Sequence, residues 1–190
     1  MQLANHQSHD GKKVWLTEDE VETMLTSAKD EKQRLAFGLM VRSGLRVQEA
    51  VDVTRQDLVR VEGGYRIRVQ HGKGDKYRET PVSESLYWLG RGVVTEDSDR
   101  LIGREKRTIQ KWVYDAADRL YEKTGDVGYS YLSPHDLRRT WGTLLIQNKV
   151  EPMLVMSWGG WESLKTFQDA YMNVHSPAFQ AEELEKVGWL

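Results

Sequence analysis

Between residues 58 and 82 the hydrophobic pattern changes period and then changes back, and this single interruption narrows the architectures open to the chain. LVRV, YRIRV and YRETPV are short segments rich in β-formers, separated by Glu62-Gly63-Gly64 and by His71-Gly72-Lys73-Gly74-Asp75. Short runs of this kind around glycine turns read as a three-stranded antiparallel meander, the glycines supplying the positive φ that tight hairpins need. On both sides the pattern is helical. Thr17 and Glu20 have the spacing of a capping box, with Leu16 and Val21 able to staple it, and Val21, Met24, Leu25 and Ala28 fall on one helical face. A second helix is expected from about Lys32 to Ser43, stopped by Gly44, and a third from near Arg46 through Val53. Beyond the meander, helices are expected at about 83–90, 106–123, 135–148, 151–157, 162–170 and 178–187. The expected fold class is mainly α with a small three-stranded antiparallel β-sheet.

At 190 residues, 39% of them hydrophobic, the chain suits one domain with a real core. Without cysteine there is no disulfide, thiolate nucleophile or cysteine zinc site. No apolar run approaches the ~20 residues of a membrane span, and MQLANHQSHDGKK is too polar for a signal peptide, so a cytoplasmic location is expected. Residues 1–13 read as a flexible tail. The net charge of −2 does not advertise a nucleic-acid binder, but its distribution is uneven. Arg55, Arg60, Arg66, Arg68, Lys73, Lys76 and Arg78 face only Asp57, Glu62, Asp75 and Glu79 within residues 55–80, and Arg104, Lys106, Arg107 and Lys111 face Glu105 alone. Acids gather instead at Glu18–Glu22, Glu96–Asp99 and Glu182–Glu185. A polarised surface is compatible with zero net charge.

Four motifs carry possible chemistry. In Ser133-Pro134-His135-Asp136-Leu137-Arg138-Arg139, Ser133 is a good N-cap and Pro134 suits the first helical position. His135 and Arg138 then share a face near the helix N-terminus, where free N–H groups and the dipole favour an anion and a neutral imidazole able to act as a base. Arg46 follows Gly44 and opens a helix, with Glu49 placed to orient it. Lys73 sits on a glycine-flanked hairpin tip that lacks the following Ser/Thr and helix of a P-loop. Gly159-Gly160-Trp161 precedes Tyr171, one of eight tyrosines. Taken singly, each motif also fits an ordinary capped helix, solvated turn or packing residue.

In order, SGLRVQEA, a GKG hairpin, HDLRR, GGW and a tyrosine make a series that resembles the tyrosine recombinase (phage integrase) family, from roughly Thr17 to His175. GKGDKYRETPV and SWGGWESL look most like integrases of archaeal viruses and plasmids. The resemblance implies the tyrosine recombinase catalytic-domain fold over residues 14–175. It also implies a DNA phosphodiester substrate and the roles that follow. Tyr171 is the nucleophile, His135 its proton acceptor and Lys73, with Lys76 close by, the acid for the leaving oxygen. Arg46 and Arg138 clamp the phosphate, Trp161 donates one further hydrogen bond and Glu49 supports Arg46. Arg66, Arg68, Lys76, Arg78, Arg104, Lys106, Arg107, Lys111 and Arg139 are expected to contact DNA. No ATP, cofactor or metal is implied, and His6 and His9 lie in the tail. Self-association as a tetramer on double-stranded DNA follows from the family, as does a docking role for residues 176–190, although packing of that tail on its own domain is an equal alternative.

Two departures accompany the resemblance. The interval from Trp161 to Tyr171 is one residue longer than the family's usual spacing, to be absorbed at Glu162–Leu164 or in a local helix distortion. The N-terminal helical domain that members usually carry has no counterpart within these residues, as in a natural single-domain form or a fragment. A DNA-binding module of the same fold that does not cleave, and a type IB topoisomerase-like relaxing enzyme, remain open on sequence alone.

Overall fold

Thr17 caps the first helix as its spacing from Glu20 requires: its hydroxyl accepts from Glu20 N at 3.3 Å, and the Glu20 carboxylate takes Thr17 N–H at 2.8 Å. That helix, α1 (Glu18–Thr26), buries Val21, Met24 and Leu25. In this computed structural model, which describes residues 1–5, 11–72, 76–168, 181–182 and 184–187, α1 lies against α2 (Glu31–Val41). Every residue of α2 from Leu35 to Val41 is buried. A helix apolar on all sides belongs inside a domain, and α2 touches α1, α3 (Val47–Asp52), α4 (Glu84–Gly92), α5 (Lys106–Thr124) and α6 (Pro134–Gln147).

The meander forms, with positive φ at Gly63 (+80°) and Gly64 (+138°) in its first turn but not at Gly72 before its second, whose residues 73–75 lie outside the described ones. An N-terminal hairpin takes the labels β1 and β2, so the meander strands are β3 (Leu58–Val61), β4 (Gly64–Val69) and β5 (Arg78–Val82), antiparallel in that order. Ile67 and Val69 point into the core while Arg66 and Arg68 lie on the other face, the period-2 alternation of a strand with one buried side. Two short 3-10 turns, Arg55–Asp57 and Val127–Tyr131, were not expected from sequence.

The stretch read as a flexible tail is instead ordered on both sides of residues 6–10. β1 (Gln2–Asn5) pairs antiparallel with β2 (Lys12–Trp15). Leu3, Ala4 and Asn5 are exposed, so nothing in their side chains advertises a strand; backbone pairing to β2 holds them. β2 itself is anchored by burial of Val14 and Trp15 and by two bonds to α6: Val14 N–H donates to Asp136 Oδ1 at 3.1 Å and the neighbouring Leu16 N–H to Thr140 Oγ1 at 3.0 Å.

A second, smaller core gathers Trp141, Ile146, Val155, Met156 and Phe167 from α6, α7 (Pro152–Gly159) and α8 (Leu164–Phe167). The helix expected at 162–170 starts later, at Leu164, after an irregular Trp161–Ser163, and passes into a π-type turn at Gln168, the last described residue of this stretch. This is where an extra residue before Tyr171 was expected to be absorbed; Tyr171 itself lies outside the described residues. Among the described residues no helix is long and apolar enough to cross a membrane.

Candidate active site

Arg46 occupies the N-cap position of α3, where an uncompensated positive charge opposes the helix dipole. Glu49, one turn on, resolves this. Its Oε2 takes Arg46 N–H at 2.7 Å and its Oε1 takes the Arg46 guanidinium at 2.7 Å. The same carboxylate receives Arg78 from β5 as a two-pronged fork, at 2.8 Å to Oε1 and 2.7 Å to Oε2. Burial pushes the Glu49 carboxyl up, but the hydrogen bonds and charge of Arg78, joined by those of Arg46, outweigh it and hold the pKa at about 2. Glu49 is therefore an obligate anion, and Arg46 is presented in a fixed orientation, partly exposed to a cleft of about 300 Å³ that Lys76, Tyr77, Gly160, Trp161 and Glu162 also line.

Arg138 enters from α6 and joins the two loops on either side. Its guanidinium donates to the Gly44 carbonyl, two residues before Arg46, and to the Gly159 carbonyl at 2.5 Å, two residues before Trp161. The Trp161 ring lies over it, 4.3 Å from Cζ to the centroid, and is itself stacked on Trp141 at 6.0 Å and packed against Phe167 at 5.2 Å. Arg138 is 1% exposed, and its Nη1 comes to 3.9 Å from Glu49. Gly44 has φ +67°, and a Cβ there would stand 2.2 Å from the Trp141 ring, so glycine is what lets the α2–α3 turn rest on α6. Asp136 takes the Ser133 N–H at 2.9 Å and hydroxyl at 2.5 Å, fixing the first turn of α6 and with it His135, which is exposed.

The structure thus brings together Arg46, Glu49, Arg138 and Trp161, with His135 on the same helical turn as Arg138's approach. Lys73 and Tyr171 lie outside the described residues. Of the expected DNA contacts, Arg68, Lys76, Arg104, Lys106, Arg107 and Lys111 are exposed and Arg66 is half-buried. Lys76 is ion-paired to Glu162 and Lys111 to Asp115 at 3.0 Å. Two expectations need correcting. Arg78 is buried, with its fork on Glu49 and its Nε donating to the Trp158 carbonyl at 2.8 Å. Arg139 is buried, ion-paired to Asp136, with its guanidinium 5.5 Å from the centroid of the Trp15 ring. Both are held inside the fold by a buried carboxylate, Glu49 for Arg78 and Asp136 for Arg139. The partner of Arg78 sits elsewhere in the fold, whereas Asp136, three residues from Arg139, was within reach of sequence reading. Among the described residues no group of three His, Cys, Asp or Glu side chains is placed to hold a metal ion.

Comparison with known proteins matches residues 14–176 to the phage integrase family. The chain is 30% identical over 164 residues to the tyrosine recombinase XerA of Pyrococcus horikoshii, covering 80% of this chain and 54% of that protein. It is 29% identical over 171 residues to XerD of Neisseria meningitidis, covering 80% and 56%. The chain spans about half the length of the curated relatives it matches. Among solved structures, a XerA recombinase crystal structure superposes with a TM-score of 0.72 at 23% identity, covering 91% of this chain and 64% of the other. The catalytic domain of bacteriophage HP1 integrase superposes with a TM-score of 0.64 at 16% identity, over 92% and 96%.

Proposed function

The chain belongs to the phage integrase family and has the catalytic-domain fold of tyrosine recombinases, and from that footing we propose that it cuts and rejoins double-stranded DNA in site-specific recombination. The observation that carries this reading is the convergence of Arg46 and Arg138, from α3 and α6, around one buried carboxylate and one tryptophan ring. Two fixed guanidinium groups suit a phosphodiester whose non-bridging oxygens gain charge in the transition state.

In this reading the Tyr171 phenolic oxygen attacks phosphorus. The new O–P bond forms as the bond to O5′ breaks, leaving a 3′-phosphotyrosyl link. The phenolic proton passes to His135, and Lys73 gives a proton to the departing O5′. Rejoining reverses the step with a 5′-hydroxyl from another strand. The bond energy stays in the covalent link, so no ATP is consumed. Arg138 is 1% exposed beneath the Trp161 ring, and Trp161, which lines the cleft beside Arg46, is the further hydrogen-bond donor. Exposed Lys106 and Arg107, in a first turn with no acidic residue, suit DNA phosphates, since an anion there relieves their conflict with the helix dipole. Arg66, Arg68, Arg104 and Lys111 extend the same positive surface. The active form is a tetramer on DNA in the cytoplasm. Residues 14–175 supply the chemistry, and 176–190 either dock on a neighbouring copy or pack on their own domain, the reading that the Lys149–Glu182 ion pair favours.

The test is a duplex carrying a nick beside the cleavage point, incubated with the chain and run on a denaturing gel. A covalent protein–DNA band that Tyr171→Phe abolishes is expected. An adduct mapped to any other tyrosine, or none at all, overturns the reading, and relaxation of supercoils without recombinant product would move it to a topoisomerase.

A further inference from the structure

Three guanidinium groups surround the Glu49 carboxylate from three elements: Arg46 on α3, Arg78 on β5 and Arg138 on α6. They are not equivalent. Arg78 gives both of its terminal nitrogens to Glu49 and its Nε to the Trp158 carbonyl, and it is 8% exposed. The turn after Trp158 is shaped around it. Gly160 has φ +66°, and a Cβ there would lie 3.0 Å from Arg78 Cδ. Arg138, by contrast, stops 3.9 Å short of Glu49, beyond hydrogen-bond range, and gives its N–H groups to the two loop carbonyls. Arg46 shares the carboxylate but still opens to the cleft.

A carboxylate that orients an arginine also cancels its charge. Here the carboxylate's charge is also met by a third, internal arginine, so it does not fall on Arg46 alone. An in-line displacement at a phosphodiester by a phenolate develops about two negative charges at its transition state. We propose that Arg78 is a positioning residue for strand cleavage: it is the dedicated counter-ion of Glu49, letting Glu49 aim Arg46 without quenching Arg46 or Arg138. This rests on the reading of Arg46 and Arg138 as the phosphate clamp. Without Arg78, Glu49 remains buried and its charge falls to Arg46 and to Arg138.

The experiment measures single-turnover adduct formation on the nicked duplex for the full chain, Arg78→Gln, Glu49→Gln and the double variant, with thermal unfolding of each. Arg78→Gln is expected to slow cleavage about 10²-fold with DNA affinity little changed, a loss typical of a mis-set transition-state donor. The double variant, which also removes the stranded negative charge, is expected to cleave about tenfold faster than Arg78→Gln. A second signature is in pH. Among the described residues the charged groups facing Glu49 are Arg46, Arg78 and Arg138, with Asp52, Asp57, Arg68 and His71 lining the small cleft beside it. With Arg78 gone, burial raises the Glu49 pKa, so the deficit of Arg78→Gln relative to the full chain should shrink as pH falls and Glu49 protonates, whereas Glu49→Gln should lack that effect. A purely structural strut gives a double variant no better than Arg78→Gln and a deficit independent of pH; either result overturns the proposal. If Arg78→Gln does not fold, Arg78→Lys decides against the double variant: it loses the fork but keeps the charge, so it should cleave faster than the double variant, and a folded Arg78→Lys that is no faster refutes the counter-ion role. Absence of any adduct from the unaltered chain refutes the clamp reading and this proposal with it, whereas an adduct with the wrong order of variants refutes only the role of Arg78.

Discussion

Gly159→Ala sets helix propensity directly against packing. Gly159 closes α7, and alanine in a helix ordinarily improves on glycine by up to about 1 kcal/mol. The structure reverses the sign. A Cβ at Gly159 would fall 1.8 Å from Trp161 Cζ3, and 2.3 and 2.5 Å from two further atoms of that ring. The ring has nowhere easy to go: Trp141 stacks on it at 6.0 Å, Phe167 at 5.2 Å and the Arg138 guanidinium at 4.3 Å. Forcing extra volume into such a cluster costs about 1–3 kcal/mol. For a chain of this size, about 2 kcal/mol lowers Tm by roughly 4–8 °C. Differential scanning calorimetry of Gly159→Ala against the unaltered chain measures this, and near-ultraviolet circular dichroism should report the displaced indole. A Tm that is unchanged or raised, with the aromatic signal intact, would refute the argument that this glycine exists for the tryptophan.

Further outcomes follow from the same geometry. Glu49 is held at about 2, below its ordinary 4.5, so its contribution is present above pH 4.5 and disappears as pH falls toward 2. That is about 3 kcal/mol, and Glu49→Gln should flatten denaturant-measured stability over that range; parallel curves would contradict it. Reversing Arg107 to Glu should weaken duplex binding and reduce the slope of log affinity against log salt by about 1. Arg139→Gln should lower Tm and leave the slope alone, and a slope change there would place Arg139 on the DNA after all. Strand cleavage is expected to persist in excess EDTA, since guanidinium groups meet the phosphate charge; loss of the adduct restored by magnesium would show otherwise.

Local signals were the legible ones. The Thr17–Glu20 box, the glycine-punctuated meander and the Ser133-Pro134 helix start are set by residues within a few positions of each other, and each formed where spacing put it. The Arg46–Glu49 pair is three residues apart and was readable for the same reason. Arg78 was misread as a DNA contact because its carboxylate is 29 residues away and its carbonyl 80. A basic residue on a strand looks solvent-facing until the buried acid opposite it is known. The β1–β2 hairpin was missed because β1 is exposed along most of its length and is ordered by its neighbour's backbone.

The two bonds from β2 to α6 bear on when the protein becomes competent. Val14 and Asp136 are 122 residues apart, and Leu16 and Thr140 are 124. Closing a loop that long costs about 4 kcal/mol of chain entropy beyond a constant, and contacts of such separation form late in a folding reaction. The helix bearing His135 and Arg138 is therefore seated by one of the slowest contacts to be made. The Gly44 turn that leads into Arg46 rests on the same helix, so both arginines of the clamp come into position only once α6 is seated.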